Sequence, residues 1–111
     1  MTRSDRDRLL DILVAIAAIR DHLMRGPLTD GLVFDAVRVR LIEIGEAAKD
    51  IHPDLLKRQP HIPWRQVAAM RDQLAHRYFD TSYSVIEHTA TKDLAELHTA
   101  IQVLLDTMST D

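Results

Sequence analysis

Cysteine is absent from this chain of 111 residues, which removes disulfides, cysteine-ligated zinc and thiol nucleophiles together. The absence suits a reducing compartment and points to the cytoplasm. Aromatic residues make up only 5%, so aliphatic side chains must fill the core and few rings remain for stacking on bases. Three glycines are too few for a phosphate-cradling loop of the P-loop or dinucleotide kind. The first apolar run, Leu9 to Ile19, is broken by Asp11 and flanked by charge, so it is too short to cross a bilayer. Arg3, Arg6 and Arg8 alternate with Asp5 and Asp7, unlike the basic start of a secretory signal, and neither a targeting segment nor a membrane partner is expected. The six histidines never stand three or four residues apart, so neither a metal site nor a cofactor is expected. Ser4, Ser82, Ser84 and Ser109 fall at caps and tails rather than in a nucleophile elbow.

Hydrophobic residues at 46% and charged residues at 28% describe a globular protein, and the length suits one domain, residues 1–111, around one core. The net charge of −3 is unevenly spread. Residues 1–37 carry −1, residues 38–77 carry +3 and residues 78–111 carry −5. An acidic total weakens the case for a polyanionic partner, but the basic middle third can still attract one locally.

Apolar residues recur at helical spacing almost throughout. Leu9, Leu13, Ile16, Ile19 and Leu23 predict a helix over about 4–24, with Ser4 as its N-cap and Gly26-Pro27 as its stop. A second helix runs from about Gly31 to just before Pro53, with Val33, Val37, Leu41, Ile44, Ala48 and Ile51 on one face and Asp30 as cap. Gly45 in its middle costs about 1 kcal/mol relative to alanine; it marks either a close helix approach or plain tolerance. Residues 52–63 carry three prolines and read as a connector with at most one helical turn around Asp54 to Arg58. Pro63 opens a third helix over 63–78, with Trp64, Val67, Met70, Leu74 and Tyr78 on its buried face. FDTSYS then breaks the pattern, and Ser84 caps a last helix whose stripe runs from Val85 or Ile86 through Ala90, Leu94, Leu97, Ile101 and Leu104 to Met108. The expected architecture is all-α: a four-helix up-and-down bundle with a short connecting helix. Broad apolar faces on the first and last helices suggest a homodimer.

The chemistry-bearing residues crowd into RDQLAHRY, Arg71 to Tyr78. Metal-free cleavage of an RNA phosphodiester needs a base for the 2′-hydroxyl proton and a fixed cation for the charge that grows on phosphoryl oxygens. Histidine is the side-chain type suited to proton transfer near neutral pH, which makes His76 the candidate base; Arg71 presents a planar fork suited to phosphate, and Asp72, one turn before His76, is placed to orient the imidazole. On an ideal helix Arg71 and His76 lie roughly 140° apart, so they cannot face one phosphate from mid-helix. Either the helix loosens after Ala75, or a twofold partner completes the site. The residues alone also admit the plainer reading of a solvated helix end, with Tyr78 a core residue carrying a wet hydroxyl.

Arg71-x-x-x-x-His76-x-Tyr78, preceded by Ile62 to Asp72 and followed by Phe79, resembles the signature of the HepT family, within the HEPN superfamily of small helical ribonucleases. Arg40 to Lys49 and Pro53 to Leu56 resemble further family segments, in the same order, so the likeness spans nearly the whole chain. The resemblance implies a HEPN-like fold and a dimeric, metal-independent ribonuclease that acts as the toxin of a type VII toxin–antitoxin module. It implies that Arg71 and His76 are the catalytic pair; Asp72 and Arg77, crowded into the same helix end, are expected in support. It also implies that Tyr78 is the tyrosine to which a minimal nucleotidyltransferase antitoxin transfers AMP. Glu46 matches the family's glutamate, for which a structural salt bridge to a basic side chain is expected. Where many members read Arg-Asn-Leu-Glu, this chain has Arg40-Leu41-Ile42-Glu43, and no arginine–asparagine role is carried over. The alternative is a non-catalytic helical dimer that binds nucleotide, RNA or a nucleotidyltransferase.

Overall fold

The computed structural model describes residues 3–76 and 79–109. Helix α1, Asp5–Arg25, starts on a capping box: the Ser4 hydroxyl accepts from the Asp7 amide at 3.0 Å and the Asp7 carboxylate accepts from the Ser4 amide at 3.3 Å. Helix α2, Gly31–Asp50, starts where the Asp30 carboxylate accepts from the amides of Leu32 and Val33. These two helices pack along each other, and their short link makes them antiparallel. The proline-rich connector holds a single turn, α3, Pro53–Leu56, which is capped by the His52 imidazole and buries Leu55 and Leu56.

Helix α4, Trp64–Ala75, packs on α2. Its start is fixed by the Trp64 indole, which donates to the Gln59 carbonyl at 3.0 Å. It stops earlier than the apolar spacing predicts. His76 has left the helix with φ −91° and ψ 121°, and Arg77 and Tyr78 lie outside the described residues.

The expected break at FDTSYS is not there. Helix α5, Phe79–His88, begins at once, so Ser84 sits inside a helix rather than capping one. Serine, threonine and aspartate are weak helix formers, but tertiary packing overrides that preference. Ile86 is fully buried, and the Tyr83 ring stacks on Phe34 of α2 with centroids 5.7 Å apart. A π-helical turn, Thr89–Asp93, joins α5 to α6, Leu94–Ser109. Within it the Thr91 hydroxyl donates to the Glu87 carbonyl at 2.6 Å and competes with the regular backbone ladder. The wider turn also solves a phase problem. Ile86 and Leu94 stand about 80° apart on an ideal α-helix, yet both are buried.

The described residues form an all-helical fold, with α1, α2, α4 and the α5–α6 run as the long members and α3 as the short connector. Leu9, Ile12, Ile16 and Ile19 meet Val37, Leu41 and Ile44, with Leu74, Ile86, Ile101 and Leu104 completing one core. Some large apolar side chains stay outside it. Leu10 and Val14 on α1, Val39 on α2 and Val103 on α6 face solvent, Val14 at 69% exposure. Among the described residues, no helix is long and apolar enough to cross a membrane.

Candidate active site

The site is built on the crossing of α2 and α4, and Gly45 makes that crossing close. A Cβ placed on Gly45 would lie 2.8 Å from the Arg71 amide nitrogen, 3.1 Å from the Val67 carbonyl oxygen and 3.2 Å from the Arg71 Cβ. Of the two readings of this glycine, close approach is the one realised. Two turns earlier on the same face of α2, Arg38 Nη1 donates to the Leu74 carbonyl at 2.7 Å. Going back along α2 thus means going forward along α4, and the pair is antiparallel.

Because α4 rests on Gly45, the Arg71 guanidinium emerges beside Glu46. Its Nε lies 3.5 Å from Glu46 Oε1, and its Nη1 donates to Asp72 Oδ1 at 3.1 Å. The carboxylate of Asp72, and then that of Glu46, holds the Arg71 pKa above the ordinary arginine value. The side chain is 44% exposed, and Nη2 has no partner among the described residues. Arg71 is therefore aimed from two sides while part of its fork still faces solvent. Glu46 takes the salt-bridge role expected of it.

His76 occupies the C-cap of α4 and is exposed, its amide donating to the Asp72 carbonyl at 3.2 Å. Of the two ways around the 140° separation, a loosened helix after Ala75 is seen here: extended torsions turn His76 off the helical path. Asp72 does something other than expected. Its carboxylate serves Arg71 and only its backbone carbonyl meets His76, so no side-chain bond from Asp72 orients the imidazole among the described residues. The reason is local: Arg71 is the adjacent residue, and its long side chain reaches the carboxylate first. Arg71 and His76 are joined by no hydrogen bond among the described residues, which leaves the pair as two separate elements of one helix end. Tyr78 and Arg77, assigned to modification and support, lie outside the described residues.

Two concavities flank this seam. One, of about 450 Å³ between α1 and α2, is edged by Glu46 and lined by Arg3, Arg8 and Arg40. Those arginines are already paired with Asp11 at 2.7 Å, Asp5 at 3.8 Å and Glu43 at 2.8 Å, and further acids at Glu46 and Asp50 leave the cleft without a net positive field. The other, about 570 Å³, lies between α4 and the α5–α6 run, with Val67, Met70, Val85 and Leu97 as an apolar floor and Gln66 and Gln73 at its edge. Among the described residues, no three histidine, aspartate or glutamate side chains gather as a metal site.

Arg38 is the participant that sequence reasoning missed. The signal was available in its position seven residues before Gly45, which puts both on one face of α2.

Residues 11–104 match the family described as "Ribonuclease HepT-like". The chain is 38% identical over 101 residues to "Probable ribonuclease HepT" of Thermococcus cleftensis, covering 87% of this chain and 92% of that protein. It is 37% identical over 68 residues to a protein named "Putative RNase TTE0752" from Caldanaerobacter subterraneus, covering 60% of this chain and 61% of the relative. It is 43% identical over 60 residues to "Putative RNase MJ1216" of Methanocaldococcus jannaschii, covering 53% of this chain and 50% of the relative. No solved structure gives a significant match.

Proposed function

This chain belongs to the HepT-like ribonuclease family and is by that membership an RNA-cleaving enzyme; from that premise we propose that it is a metal-independent endoribonuclease acting as the toxin of a toxin–antitoxin module. The observation that carries the chemistry is a guanidinium held at the Gly45 crossing by two carboxylates, five residues before a histidine turned out of the helix.

In this reading His76 takes the proton from an RNA 2′-hydroxyl. The 2′-oxygen bonds to phosphorus, the bond from phosphorus to the 5′-oxygen breaks, and that oxygen leaves with a proton from water or an imidazolium. The products are a cyclic phosphate and a 5′-hydroxyl. Arg71 offsets the charge on the non-bridging oxygens, and its prior alignment by Asp72 and Glu46 avoids reorganisation during the reaction. Asp72 thus supports Arg71 rather than His76. Arg77 adds positive charge for the RNA backbone.

The working unit is a homodimer in the cytoplasm, in which two such helix ends line a shared cleft. Solvent-facing Leu10, Val14 and Val103 supply apolar surface for it. A minimal nucleotidyltransferase antitoxin silences the enzyme by transferring AMP to Tyr78, where the added phosphate repels RNA.

The test is cleavage of purified RNA in EDTA. Wild-type protein is expected to cleave, and His76→Ala and Arg71→Ala are expected to lose activity. Equal cleavage by all three overturns the assignment. One observation favours a second reading, a non-catalytic binding dimer: Arg71 is already paired with two carboxylates in a chain of net charge −3. RNA binding by wild-type protein without cleavage in the same assay would establish that reading instead.

A further inference from the structure

The last four carbonyls of a helix have no partners within it and need outside donors. Many helices meet that need with a glycine just past the end, or with basic residues in the last turn. Helix α4 has neither, since WRQVAAMRDQLA ends on Leu74 and Ala75 and is followed by His76. The donor comes from another helix. Arg38 Nη1 reaches the Leu74 carbonyl at 2.7 Å, a charge-assisted bond 36 residues away in sequence and partly buried. A cation at a helix C-terminus is also favoured by the helix dipole.

The bond sits two residues before the expected catalytic histidine. Beyond Leu74 the chain departs from the helix with His76 in extended torsions, and the His76 imidazole makes no hydrogen bond among the described residues. The direction of that side chain therefore depends on where the backbone leaves the helix. Arg71, at the other end of the motif, is positioned independently by Gly45, Glu46 and Asp72. Arg38 itself pairs with a neutral carbonyl and with no carboxylate among the described residues, so its charge serves the helix end rather than an ion pair.

We infer that Arg38 is a positioning residue for the ribonuclease site: by holding the Leu74 carbonyl it sets where α4 ends and so where His76 is presented. The inference rests on the assignment of His76 above, and its test is built to fail separately. Arg38→Met keeps the aliphatic stem and removes the donor, and Arg38→Lys restores a charged donor.

The first readout needs no activity. Amide hydrogen exchange at His76, whose N–H closes the last turn onto the Asp72 carbonyl, should quicken about tenfold or more in Arg38→Met while core amides of α1 and α2 stay unchanged. Arg38→Lys should recover most of the protection. The second readout is kinetic. Displacing a catalytic group by about 1 Å can cost on the order of 100-fold, so Arg38→Met should lose kcat on that scale with KM nearly unchanged. Ile101→Val, which trims one buried methyl from α6 and removes no donor from α4, should keep kcat. Unchanged exchange at His76, or uniformly faster exchange at all amides, overturns the inference. So does a raised KM with intact kcat, which would make Arg38 an RNA contact. Localised exchange with no RNA cleavage by wild-type protein upholds the positioning role and overturns the ribonuclease reading alone.

Discussion

Gly45 and Arg71 are in backbone contact: the space where a Gly45 side chain would begin ends 2.8 Å away, at the Arg71 amide nitrogen. Two helices can come this close only where one has no Cβ. The contact places the Arg71 side chain directly beside Glu46, the next residue on α2, so the crossing of the fold and the anchoring of the guanidinium are one feature.

Gly45→Ala is therefore expected to destabilise despite alanine's better helix propensity. The propensity gain is about 1 kcal/mol, whereas forcing apart a packed contact costs about 1–3 kcal/mol, and the obstacle here is backbone that cannot rotate away. Urea unfolding should show a lower midpoint with an unchanged slope, and RNA cleavage should fall with it. A variant as stable as wild type would show that α4 can shift without loss.

Arg71→Lys keeps the charge and loses the fork. A lysine ammonium is a point donor and cannot satisfy Glu46 and Asp72 while also presenting an aligned pair of donors to phosphate. Cleavage should drop by about 10²-fold or more, with thermal stability close to wild type because the side chain is 44% exposed. Full activity in this variant would reduce the role of Arg71 to charge alone.

The capping box sets one pH dependence. Bonds from the Ser4 amide and hydroxyl, in that order, hold the Asp7 pKa below its ordinary value of 3.8. A folded-state pKa lower than the unfolded one means the contribution is complete above the unfolded value and is lost as pH falls through the folded one. Asp7→Asn should therefore be less stable than wild type at neutral pH, with the difference vanishing in acid below pH 3.8. Thermal unfolding of both proteins across that range checks it, and a difference that persists in strong acid would assign the effect to something other than the ionised cap.

Val14→Asp tests the proposed dimer. At 69% exposure a charge there should leave the monomer fold intact, yet it would be buried in any interface formed by the α1 face. Sedimentation should show wild-type dimer and variant monomer, both with helical circular dichroism. A dimeric variant would move the interface away from Val14.

Co-expression with the cognate nucleotidyltransferase should add AMP to Tyr78, visible as an intact-mass increase absent from Tyr78→Phe. An adduct that survives the substitution would place the modification elsewhere.

What the sequence by itself determined is the part governed by local rules. The all-helical class, the caps at Ser4 and Asp30 and the proline-rich connector all follow from spacing and side-chain type. Arg71 and His76 were legible as candidates because a guanidinium and an imidazole crowd one helix end there, in a spacing that resembles the HepT signature. The tertiary structure decided what local rules leave open. Buried Ile86 and the ring pair of Phe34 with Tyr83 held FDTSYS in a helix against its own propensity. Arg71 claimed the Asp72 carboxylate that spacing had lent to His76. Arg38, 36 residues away, took the Leu74 carbonyl at the end of α4. The first and last of these outcomes depend on which distant atom reaches a polar or apolar group, and the Arg71 side chain is aimed by its contacts with Gly45 and Glu46 on another helix; only the packed chain sets those distances.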